Sequence, residues 1–161
     1  MKQKFRILVA LFVIIVLAGA VFAVEAWRGT KLESSLKPGD VPIYLDGKII
    51  AGFTATDLEN FQQVSFIDDE EGKTQKGWLL REILSQYVEP DQFRDNFIIN
   101  IISSSREKEF NLTWAEVNDK ENMVMFDLSG RGTLKLVSKL PQLDVRDEWV
   151  QDVDKIEIIT P

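Results

Sequence analysis

The sequence predicts an α+β domain, a mixed and mostly antiparallel sheet with short helices, behind an N-terminal signal or anchor helix. Three observations predict it. Strand-like runs outnumber helical ones and do not alternate strictly with them. Leu79, Leu80, Ile83, Leu84 and Tyr87 recur at helical spacing. The residues from Ile7 to Val24 carry no charged side chain, directly after Lys2, Lys4 and Arg6.

That basic start and apolar run read as a targeting signal or a membrane span. The small-residue ending Val21-Phe22-Ala23 suits cleavage after Ala23, giving a signal peptide of residues 1–23. At ~1.5 Å per helical residue the run also nearly matches the ~30 Å hydrocarbon core, so an uncleaved N-terminal anchor fits equally. Both readings put the chain from about Glu25 onward outside the cytoplasm, periplasmic or at the cell surface. A linker of residues 24–40 follows, with Gly29, Ser34, Ser35, Pro38 and Gly39 among scattered charges and no sustained period. The folded domain is then residues 41–161.

Val41, Ile43 and Leu45 alternate toward Asp46-Gly47, a dipeptide that tolerates positive φ, and Ile49 to Ala51 returns, which is a hairpin pattern. Thr56 with Glu59 has capping-box spacing and predicts a short helix before a strand at Val64 to Ile67. Asp68 to Gly72 is an acidic turn, and the helix from Leu79 runs until Pro90 stops it. Phe97 to Ile102 is nearly all apolar and isoleucine-rich, as expected of a central strand covered on both faces. Thr113 with Glu116 opens another short helix. Strands are expected at Met123 to Leu128, Leu134 to Val137 and Lys155 to Ile159.

Composition removes several function classes. Without residues 1–23 the chain holds 16 basic and 26 acidic residues, a net charge of -10. Duplex binding needs cations to neutralise phosphates, so nucleic acid is excluded as a partner. Cys and His are both absent. Their absence excludes thiolate nucleophiles, imidazole acid-base chemistry and most zinc or haem sites.

Few residues invite a functional reading. Asp68-Asp69-Glu70-Glu71 lacks the alternate-position acids of a calcium loop and reads as a solvated hairpin turn. Asn111-Leu112-Thr113 fits a glycan acceptor, a triplet too common to carry weight. Trp78 and Trp114 each begin an expected helix and read as core. Trp149 sits among Asp147, Glu148, Gln151 and Asp152, where it either packs on the last strand or offers a stacking face. Ser104 and Arg106 emerge where the apolar strand leaves the sheet, and Arg131 is presented between Gly130 and Gly132. Each is either an ordinary loop residue or a ligand contact.

Gly77-Trp78-Leu79-Leu80-Arg81-Glu82-Ile83-Leu84 is similar to a G-x-x-L-R-D-L-L helix, Gly132 to Val137 with Pro141 resembles G-x-P-x-R-L-V-x-P, and Trp149 to Ile158 resembles a closing W-V-K-W-L-x-x-I-x-V. Ser104 to Phe110 stands between the first two as a serine-rich segment. In this order, from Phe53 to Ile159, the segments resemble a reduced molybdopterin-binding domain of the sulfite-oxidase-like superfamily. The departures fall on the metal. The family's metal-binding cysteine corresponds to a place near Asp68, expected as an exposed carboxylate, and its arginine corresponds to Lys135. No molybdenum is therefore expected.

The resemblance implies a non-catalytic, extracytoplasmic small-ligand binding module with a pterin as candidate ligand. A carboxylate accepts the paired N–H groups of the pyrimidinone edge while an aromatic ring stacks on the face. Asp127 is the candidate acceptor, Trp149 the stacker, and Ser104, Arg106 and Arg131 the remaining wall. Two alternatives stay open: a structural or adaptor domain for another envelope protein, and a subunit of a molybdenum oxidoreductase, which the missing thiolate disfavours.

Overall fold

The computed structural model describes residues 12–24 and 36–161. The chain divides into two compact units, Met1–Ser35 and Leu36–Pro161. In the first, residues 12–24 form helix α1, with Phe12, Ile14 and Phe22 exposed. Among the described residues no helix is long and apolar enough to cross a membrane. The basic start and residues 25–35 of the expected linker lie outside the described residues.

The second unit is α+β and holds two five-stranded sheets, where a single sheet was expected. A lone sheet of ten strands would leave an entire apolar face in water, whereas two smaller sheets cover each other's inner faces. The first sheet is built from β1 (Val41–Leu45), β2 (Lys48–Phe53), β5 (Ile98–Ser103), β6 (Lys108–Thr113) and β10 (Lys155–Ile159), in the order β2-β1-β10-β5-β6. The second has β3 (Gln63–Ile67), β4 (Thr74–Leu79), β7 (Met125–Leu128), β8 (Leu134–Val137) and β9 (Val150–Gln151), in the order β3-β4-β7-β8-β9. Every pairing is antiparallel except β1 with β10. The middle of the first sheet is thus β10, with β5 beside it, rather than β5 itself.

The β1–β2 hairpin forms as its sequence demands. Asp46 and Gly47 both take positive φ, 49° and 74°, the backbone of a primed two-residue turn. The Asp46 carboxylate also accepts from the backbone N–H and hydroxyl of Thr160, each at 2.8 Å, fastening the turn to the end of β10. The acidic stretch after Ile67 does turn a hairpin, but into β4, a strand the sequence did not announce; Trp78 lies in it rather than at a helix start.

Helix α2 (Leu80–Leu84) is shorter than the expected Leu79–Tyr87. Leu79 is still extended, at φ -62° and ψ 126°, and past Leu84 the chain tightens into turns as the Ser85 hydroxyl donates back to the Arg81 carbonyl at 2.7 Å. At Thr56 no side-chain cap forms; the reciprocal bonds join Thr54 and Asp57 instead, at the 3-10 turn Asp57–Asn60. Helix α3 (Trp114–Asn118) has the full capping box expected of Thr113 and Glu116.

The main core lies between the sheets. Ile43, Phe53, Ile99, Ile101, Ile156 and Ile158 from the first meet Trp78, Phe126, Leu136 and Val150 from the second, with Leu80, Ile83 and Leu84 of α2 added. Phe53 and Phe126 span the two layers, ring centroids 6.3 Å apart. Burying one such side chain fully contributes about 1.5–3 kcal/mol. Because side chains alternate along a strand, Leu79, Met125 and Val137 point to the opposite face of the second sheet, where they gather with Trp149 in a second cluster.

Candidate functional site

The loops at one end of the second sheet converge around Trp149. The β3–β4 turn is organised by Asp68, which is 3% exposed and not the open carboxylate expected. Its two oxygens accept from the Glu71 backbone N–H and the Gln75 side-chain amide, both at 2.7 Å. The Gln75 amide, then the Glu71 N–H, hold its carboxyl below the usual aspartate range.

Gln75 passes the network inward. Its carbonyl accepts from Lys135 Nζ at 3.0 Å, and the same ammonium lies 3.0 Å from Asp127 Oδ2 and 4.4 Å from the Trp149 ring centroid. Lys135 and Asp127 are both well covered, with side chains 13% and 15% exposed. Trp149 is 6% exposed and donates its indole N–H to the Leu143 carbonyl at 3.1 Å. The stacking face and the candidate acceptor are therefore both engaged by one lysine.

A second node is Asp152, in the left-handed region at φ 58°. It accepts from the Thr133 hydroxyl at 2.6 Å, from Arg106 Nε at 2.7 Å and from Arg131 Nη2 at 2.9 and 3.0 Å. The Thr133 bond first, then the Arg106 bond and the charges of Arg131 and Arg106, push its carboxyl below the ordinary range. Asp154, two residues on, receives the backbone N–H and hydroxyl of Ser104 at 2.9 and 3.1 Å.

Between these nodes is an open-sided cavity of about 490 Å³. Its wall includes Trp149, Arg106 and Arg131, three of the five residues singled out from sequence. Asp127 stands behind the wall, bound to Lys135, and Ser104 is turned away to Asp154. The sequence reading missed Lys73, Gln75, Lys135 and Arg146, which also line the cavity, and Asp152, which aims two of the arginines. No local pattern pointed to the last: Asp152 lies in a bend at positive φ between β9 and β10, where strand alternation does not apply.

Among the described residues no group of three or more carboxylates converges as a metal site. No family model matches the chain, and no curated protein matches it either.

Proposed function

We propose that residues 36–161 form a non-catalytic binding domain for a small flat ligand, exported or tethered outside the cytoplasm by the apolar segment before it. One observation carries the reading: a cavity beside an indole, with polar side chains entering from four separate loops. Such convergence of a few polar groups on an aromatic wall is what recognition of a heterocycle requires. The ordered resemblance to sulfite-oxidase-like domains supports a pterin as that heterocycle. Lys135 then plays the part of a placeholder. A pterin takes its position, presenting ring N–H donors to Asp127 and its face to Trp149.

Titrating the tryptophan fluorescence of the full-length protein with reduced pterins tests this, alongside native mass spectrometry of material purified from its own envelope. Saturable quenching that weakens in Asp127→Ala and Trp149→Phe is expected. An empty native protein and no response to any pterin would sink the ligand assignment. A second reading, an adaptor for another envelope protein, draws on the edge strand β3, whose Ile67 is 63% exposed beside unpaired backbone.

A further inference from the structure

We propose that the same cavity also binds a small dianion, a phosphate ester or a dicarboxylate, at its rim beside Arg131 and Arg146 and apart from the ring position at Trp149; the inference rests on the domain being a small-ligand binder. The chain is strongly acidic, yet the cavity wall carries Lys73, Arg106, Arg131, Lys135 and Arg146 against one carboxylate, Glu71. Charges are sorted by depth. The carboxylates that answer these cations stand behind the wall: Asp127 behind Lys135, and Asp152 behind Arg106 and Arg131. Glu71 is shared, 2.5 Å from Lys73 and 3.9 Å from Arg146. Glu70 accepts from the Arg146 backbone N–H at 2.8 Å and does not line the cavity.

Five cations of the wall are thus paired with three carboxylates, only one of which, Glu71, itself faces the cavity. The most open cations of the wall are Lys73, Arg131 and Arg146, with side chains 64%, 62% and 59% exposed; Lys73 is tied to Glu71. Asp152 holds Arg131 from below, which fixes the fork while leaving donors for a ligand. Ser129 and the backbone at Gly130 add neutral polar lining where a bound oxyanion would rest.

The test is calorimetric titration of the full-length protein at fixed ionic strength with glycerol 3-phosphate, with succinate, and with biopterin, which is uncharged at neutral pH. Binding of glycerol 3-phosphate or succinate is expected, weakened about tenfold in Arg131→Gln and in Arg146→Gln. Both side chains are largely solvated, so the variants should fold, which their unchanged circular dichroism would verify. Preference between the two probes assigns phosphate or carboxylate. Biopterin binding without either anion would overturn the dianion and leave the binding domain intact. If none of the three binds, the binding reading falls and the dianion with it. Anion binding unaffected by both variants would also overturn the proposal, because the anion would sit elsewhere.

Discussion

Lys135 stands over the face of Trp149, its ammonium 4.4 Å from the ring centroid, while the same nitrogen pairs with Asp127 at 3.0 Å. A charge this well covered depends on its partners. Lys135→Met should destabilise the domain by about 2–3 kcal/mol, chiefly because Asp127 is left without its counter-ion. Adding Asp127→Asn should recover part of that loss. Urea denaturation of the two single variants and the double variant measures the coupling, which should be negligible if the pair is incidental.

Asp152 predicts how the domain responds to acid. Its folded carboxyl is held below the ordinary range by Thr133, Arg106 and Arg131. A depressed folded pKa contributes stability that is present above the unfolded value, ~3.9, and is lost as pH falls through the folded one. Asp46, Asp57 and Asp68 are shifted the same way by their hydrogen bonds. The melting temperature should therefore fall progressively below about pH 4. In Asp152→Asn the fall should be shallower, from a lower starting point; equal slopes for both proteins would refute the assignment.

Gly77 tests the close approach of two strands. A Cβ built there would overlap the Phe126 carbonyl and crowd the Asp127 backbone on β7. Neither can retreat without breaking the β4–β7 ladder. Gly77→Ala should cost at least ~2 kcal/mol, whereas Gly130→Ala, with nothing near its Cβ, should be close to neutral. Thermal melts of the pair decide it.

The caps give a matched comparison. Thr113→Ala removes a hydroxyl that accepts from the Glu116 backbone N–H at 3.2 Å, and should cost about 1 kcal/mol. Thr56→Ala removes no capping bond and should cost less than half of that. Equal losses on chemical denaturation would contradict the assignment of the caps.

What could be read from the residues follows from how local each signal is. The β1–β2 hairpin was legible because Asp46-Gly47 states its turn within two positions, and β5 because five of its six side chains are half or fully covered and apolar or small. Strand β4 was not, since Thr74, Gln75 and Lys76 look like loop and its Trp78 and Leu79 merge into the period of α2. Strand β6 is charged at Lys108 and Glu109, so its start is indistinguishable in sequence from the polar stretch 103–107 before it. At the site, Trp149, Arg106 and Arg131 stood out by their surroundings in sequence. Lys135 registered only as a departure from a family arginine, because its value lies in contacts with Gln75, Asp127 and Trp149 on three other parts of the chain. Asp152 reaches Arg106 across 46 positions, a distance no local pattern encodes.

The parallel pairing of β1 with β10 also bears on the order of assembly. The hairpin that opens the second unit has no neighbour on its inner side until Lys155–Ile159 arrives, more than a hundred residues later along the chain. Closing so long a loop is costly before its contacts repay it, so completion of that sheet should be the slow step of folding. Until then two separate hairpins, β1–β2 and β5–β6, wait with open edges, and any translocation or quality-control machinery would meet them in that state.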